Sequence, residues 1–168
     1  VYELRCGIYS LLEKIVYRYP KSHVSLITRE SLQPLQLKKY PQIPINIINT
    51  SSGVLFVNGR FLYNEKNLKF FPDGKDRDFI LVNNGDVVVA YLRANNVTKL
   101  KEIFNGPLNS EKIIKMFNRV VSFREVNVDM VQYPWDLIKH NKEQLEVDFI
   151  FAKCAGIIKG LIHESVII

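Results

Sequence analysis

Three short stretches carry residue types that bind anions, sugars or metal ions. Arg5-Cys6-Gly7 stands directly before an amphipathic run. An arginine and a glycine at a helix N-terminus can hold phosphate, because unpaired backbone N–H groups and the helix dipole both favour negative charge there. The same residues also suit a turn at Gly7 with Arg5 in solvent. Asn58-Gly59-Arg60 follows Val54-Leu55-Phe56-Val57, apolar at every position. In open α/β sheets ligands bind beyond the carboxyl ends of strands, so an amide at position 58 could hold a ribose, a sugar or a metal-bound water. A plain turn accommodates Asn-Gly equally well. Asn141 lies inside the stretch Tyr133–Phe149, where asparagine is a mediocre helix former. An amide there could reach a divalent ion.

Other polar groups carry less. Asp73, Asp76 and Asp78 alternate with Lys75 and Arg77, without the glycine and distal glutamate of a calcium loop, and read as a solvated loop. His23, His140 and His163 show no ligand spacing. Neither a Gly-rich phosphate motif, nor a His-Glu-x-x-His pair, nor a Gly-x-Ser-x-Gly elbow occurs. Cys6 and Cys154 are too few for a disulfide scaffold or a four-cysteine zinc site; they read as reduced, buried thiols of a cytoplasmic protein.

The elements that must position these residues are legible in part. Ile8, Leu11, Leu12, Ile15, Val16 and Tyr19 form one helical face over 8–19, ended by Pro20. Val24–Thr28 and Ile45–Asn49 are strand candidates, and Leu32–Tyr40, broken by Pro34, reads as a loop with one or two turns. The apolar run Val54–Val57 predicts a strand covered on both faces, as in a parallel sheet. Pro72-Asp73-Gly74 predicts a turn. Phe79–Val82 and Val87–Leu92 flank Asn83-Asn84-Gly85-Asp86, a strong hairpin signal. Asn96 is placed to cap a helix reaching Phe104, ended by Gly106-Pro107, and Ser110 to cap a second reaching Asn118. Val121–Val128 alternates, with a phase slip at Arg124-Glu125 that predicts a bulge. Pro134 opens a long helix to about residue 153, with Trp135, Ile138, Leu145, Phe149 and Ala152 as its apolar face. Strands alternating with helices argue an α/β fold.

Composition narrows the function classes. The 168 residues are 47% hydrophobic and 24% charged, which excludes disorder as the main state. No run approaches the roughly 18 apolar residues of a membrane span. The net charge is +6, with 12 Lys/Arg against 7 Asp/Glu in residues 1–84 and 11 against 10 in residues 85–168. These charges are scattered, without the basic stripe of a nucleic-acid binder. They suit a mildly positive cleft for a phosphate-bearing small molecule. The chain begins at Val1 rather than Met and closes on an apolar run, Val166-Ile167-Ile168. It is therefore expected to be a fragment of a longer protein.

Leu4-Arg5-x-Gly7-Ile8 leading into Leu12-Glu13-Lys14, then Leu55-Phe56-Val57-Asn58-Gly59-Arg60, then Pro134-Trp135-Asp136-Leu137 with Asn141 and Asp148-Phe149, resemble the sugar nucleotidyltransferases. The likeness is to the N-terminal domain of the bifunctional UDP-N-acetylglucosamine pyrophosphorylase/glucosamine-1-phosphate acetyltransferase group, and it covers nearly all of residues 1–155. It implies a Rossmann-like nucleotide-diphospho-sugar transferase domain, a mixed but mostly parallel sheet flanked by helices. The first strand and phosphate loop would lie upstream of Val1, and residues 156–168 would lead into a left-handed β-helix of hexapeptide turns.

The resemblance also implies an activity: transfer of a nucleotidyl group, UMP from UTP, to a sugar 1-phosphate with release of pyrophosphate. By position, Arg5 is implied as a catalytic phosphate contact. Gly7, Asn58, Gly59 and Arg60 are implied in substrate binding, and Asn58 and Asn141 in holding Mg2+. Asn58 is neutral where related pyrophosphorylases have a metal-binding aspartate, so Mg2+ should bind there more weakly. The expected partners are a nucleoside triphosphate and a sugar 1-phosphate, with no nucleic acid and no membrane, and a homotrimer built through the β-helix. The alternative is a non-catalytic nucleotide-sugar-binding or structural module of the same fold, attached to a β-helix acyltransferase.

Overall fold

The hairpin forms where Asn84-Gly85 predicts it. These residues take φ of 50° and 81°, the left-handed pair that a tight turn between right-twisted strands demands. The structure is a computed structural model and describes residues 1–70, 77–101 and 109–152. Within it strand β1 spans Val54–Val57, β2 Phe79–Asn83, β3 Asp86–Leu92 and β4 Ser122–Glu125. They form one sheet in the order β1-β3-β2-β4. β3 pairs antiparallel with both β1 and β2, and β2 pairs parallel with β4.

The expected mostly parallel sheet is therefore corrected for the described strands: one of three pairings is parallel. The hairpin forces the β2–β3 pairing to be antiparallel, and β1 then joins the free edge of β3. Val54–Val57 is an edge strand, half-buried at all four positions, rather than one covered on both faces. The bulge falls between Leu81 and Val82, not at Arg124-Glu125, where the β2–β4 register runs unbroken.

Alternation along β2 sends side chains to two cores. Ile80 and Val82 join Ala90 and Leu92 of β3 under helices α4 (Ala94–Lys101) and α5 (Ser110–Phe117), through Val97, Leu100, Ile113 and Phe117. Leu81 faces the other side, with Val89, Phe61, Tyr63, Val126 and Met130. A mixed four-stranded sheet flanked by helices fits a Rossmann-like α/β fold. α4 begins before Asn96, whose side chain instead donates to Asp78 Oδ2 at 2.9 Å. The cap of α5 is Asn109, which accepts from the Lys112 N–H, while Ser110 Oγ accepts from the Val87 N–H.

Helix α1 covers Leu11–Arg18, three residues shorter at its start than the apolar face suggests. Ser10 and Glu13 close a capping box, and Arg5 bridges back to Ser10, so residues 5–10 fold as a loop. Pro34 does not break Leu32–Tyr40: it sits in the first turn of α2 (Gln33–Lys39), where its missing N–H costs nothing. Val24–Thr28 and Ile45–Asn49 are not strands; a single bridge joins Leu26 to Ile45, and Asn46 at φ 58° ends it. A short helix, α3, spans Glu65–Leu68.

Helix α6 runs Pro134–Ala152, as its pattern predicts, but with the other face inward. Its buried residues are Gln144 and Asp148, while Trp135, Ile138, Leu145 and Phe149 are exposed. The Pro72-Asp73-Gly74 turn, Asp73 and Asp76, the helix end at Phe104 with Gly106-Pro107, Cys154, His163 and the β-helix lead-in at 156–168 all lie outside the described residues.

Candidate functional site

Two polar clusters gather the residues singled out by the sequence. The first seats the 5–10 loop on α6. Gly7 has φ 85°, and a Cβ there would fall on Asp148 Oδ2 and lie 2.8 Å from the Gln144 carbonyl oxygen. Only glycine lets the loop approach the helix this closely. The loop's N–H groups are then taken up by side chains of α6. Gly7 N–H donates to Asn141 Oδ1 at 2.8 Å; Ile8 and Tyr9 N–H donate to Asp148 Oδ2 at 2.9 and 3.3 Å. From α1, the Lys14 ammonium reaches Asp148 Oδ2 and Gln144 Oε1, both at 2.8 Å. Gln144 Nε2 donates to the Tyr63 carbonyl at 3.0 Å. Burial pushes the Lys14 pKa down, opposed by its bond to Asp148.

Arg5 lies at the rim of this cluster, exposed, its guanidinium donating to the Ile8 carbonyl at 2.7 Å. Cys6 beside it is buried, its thiol donating to the Leu137 carbonyl at 3.3 Å, and burial raises its pKa. It is an inert packing residue of the Cys6, Leu11, Leu62, Val131 cluster.

The second cluster lies at the carboxyl end of β1. Asn58 Nδ2 donates to the Val87 carbonyl at 2.9 Å, and its Oδ1 accepts the Arg60 N–H at 3.0 Å. The amide thus turns the chain back over the start of β3. Gly59 packs against the N-terminal segment, where a Cβ would sit 3.1 Å from Tyr2 Cβ. The Arg60 guanidinium is held between the Asp86 carboxylate and Gln132 Oε1, the latter at 2.8 Å. The carboxyl ends of β2 and β4 share this edge, where Asn84 N–H donates to Glu125 Oε1 at 2.9 Å. The result is a polar rim carrying one half-buried arginine, the position where open α/β sheets bind ligands.

The structure brings Gly7 and Asn141 into direct contact, with Arg5 adjacent, and keeps Asn58, Gly59 and Arg60 together. Among the described residues no hydrogen bond joins the two groups. Nor do the two asparagines fit Mg2+ as they stand. Both amide oxygens accept backbone N–H bonds, the Asp86 carboxylate, one residue before the Val87 carbonyl that Asn58 holds, is already bound to Arg60, and no trio of His, Cys, Asp or Glu gathers among the described residues. Asp136 is engaged elsewhere, accepting the Gln132 and Tyr133 N–H groups at 2.8 Å each, which holds its carboxyl below the usual range.

Nothing in the sequence gives Lys14, Gln144 or Asp148 a role. The one signal for the last two is polarity at positions 144 and 148 on one side of a helix whose other side is apolar. Among the described residues no helix is long and apolar enough to cross a membrane.

Comparison with known proteins adds one positive finding. The sequence profile of a family described as sugar nucleotidyl transferase matches residues 1–154. No curated relative and no solved structure matches the chain.

Proposed function

The chain belongs to the sugar nucleotidyl transferase family, and on that premise we propose that it transfers UMP from UTP to a sugar 1-phosphate, releasing pyrophosphate. The family match over residues 1–154 carries the transfer of a nucleotidyl group to a sugar; UTP as donor follows the sequence resemblance, and the geometry of the second cluster suggests where the phosphates would sit. In the reaction a sugar-phosphate oxygen attacks the α-phosphorus and the bond to the bridging oxygen of the β-phosphate breaks. A phosphoryl centre needs little covalent help from the protein; catalysis is positioning and charge neutralisation. Arg60, held from two sides by Asp86 and Gln132, is pre-oriented for that task at the strand ends. Arg5, exposed and placed by its bond to the Ile8 carbonyl, is the second guanidinium in this reading. Mg2+ would neutralise further phosphate charge when bound, but with Asn58 and Asn141 already engaged no step is assigned to it.

One observation favours the non-catalytic alternative. The N–H groups of Gly7, Ile8 and Tyr9, the anion site expected from sequence, are filled by the chain's own Asn141 and Asp148. A protein that keeps this loop closed could bind a nucleotide sugar without turning it over. Pyrophosphate release from UTP plus a panel of sugar 1-phosphates separates the two. Release dependent on both substrates supports transfer; binding of UDP-sugars without release supports the binding module.

A further inference from the structure

The outward face of α6 has the spacing of a helix-pairing seam. Trp135, Ile138, Lys142, Leu145 and Phe149 follow one another at intervals of three, four, three and four residues. That is the a/d alternation of a coiled coil, narrower than the stripe of a helix lying on its own core. The inward side is already occupied by Asn141, Gln144 and Asp148. The four apolar members are 62%, 80%, 42% and 56% exposed, in chain order. Lys142 is exposed as well.

We propose that two copies of this chain associate through α6, helix against helix and antiparallel, about a two-fold axis. The flanking charges select this occupant and this direction. Lys139 and Glu146 are both exposed and occupy the same flanking position, seven residues apart. In an antiparallel pair each Lys139 meets Glu146 of the second copy, so one two-fold operation creates two opposite-charge contacts. In the same register Ile138 lies opposite Phe149, and Trp135 opposite Ala152, a large ring against a small side chain. Lys142 falls opposite Leu145, where its stem covers the leucine and its ammonium reaches solvent. A lysine inside an apolar seam costs affinity but fixes register and orientation. A parallel pair would set Asn141 against Glu146 and leave Lys139 facing Pro134, so neither of these two exposed charges is matched, and Asp148 is already taken by Lys14. The seam is thus self-complementary in one orientation only. This pairing is independent of the activity proposed above.

The test is sedimentation equilibrium of the whole 168-residue chain from about 1 to 300 μM, the range in which small interfaces associate. A reversible dimer is expected. Lys139→Glu and Glu146→Lys should each weaken it roughly tenfold, since each turns two attractions into two repulsions. The double reversal should restore association to within about threefold of wild type, a rescue that neither a folding defect nor a general charge effect would give. Circular dichroism checks that each variant keeps its helices. A monomer at every concentration, single reversals without effect, or a double reversal that fails to restore pairing would each overturn the proposal.

Discussion

The Lys14 ammonium lies 2.8 Å from Asp148 Oδ2, and the two side chains are 2% and 3% exposed. This pair joins α1 to α6, and Asp148 Oδ2 also accepts the N–H groups of Ile8 and Tyr9. One carboxylate therefore holds the helix, the lysine and the loop together. Asp148→Ala would leave a buried ammonium with only Gln144 and strip two N–H groups of their acceptor. The expected cost is about 3–5 kcal/mol. Lys14→Met should cost less, about 1–3 kcal/mol, because Asp148 keeps its two backbone donors. Urea unfolding followed by circular dichroism measures both; equal costs would contradict the shared role of Asp148.

Gly7 and Gly85 have nearly the same backbone, φ 85° and 81°, in opposite surroundings. A Cβ at Gly85 meets nothing within 4 Å, whereas one at Gly7 meets Asp148 and Gln144. Gly85→Ala should cost only the left-handed backbone term, about 1–2 kcal/mol. Gly7→Ala should cost at least about 2 kcal/mol more, because the loop must lift off α6 and break the Asn141 and Asp148 bonds. Thermal unfolding of the two variants side by side checks the difference.

How far the sequence disclosed this arrangement depends on how local each signal is. The hairpin was legible because Asn84-Gly85 needs no distant partner to take positive φ. The length of α6 was legible from Pro134 and a sustained helical pattern, but not which face turns inward. Apolar periodicity names a stripe; it does not say that the stripe is buried. Here the inner face is polar and answered by Lys14 and the 7–9 backbone, more than 100 residues away. No local pattern encodes such a pairing. Pro34 hides α2 because a proline in a first turn looks locally like one that breaks a helix, and Ile45–Asn49 has the composition of a strand but does not form one because Asn46 turns out of the extended region. Asn58, Gly59 and Arg60 were found from one rule about strand ends; Asp86 and Gln132, which hold Arg60, come from separate segments.

Acid should weaken the fold through the cap of α1. The Ser10 backbone N–H holds the Glu13 carboxyl below its ordinary value of 4.5. A carboxyl lowered in the folded state contributes stability that is present above 4.5 and is lost as pH falls through the folded value. Glu3, lowered by Lys39, acts in the same direction. Melting temperature should fall on acidification below 4.5, and Glu13→Gln should reduce that slope and, near neutral pH, lose the same small stabilisation that acid removes from the wild type. A slope unchanged in Glu13→Gln would remove the capping box from the explanation.

Arg60 tests the placement of substrate at the strand ends most directly. Its side chain is 28% exposed and its contacts to Asp86 and Gln132 are near the surface, so Arg60→Gln should cost no more than about 1 kcal/mol of stability. Calorimetric titration of wild type and Arg60→Gln with UTP and with UDP-sugars is therefore the decisive measurement. Binding by the wild type that falls at least about tenfold in the folded variant supports nucleotide phosphates on Arg60. No binding to any of them, or binding indifferent to Arg60, would contradict it.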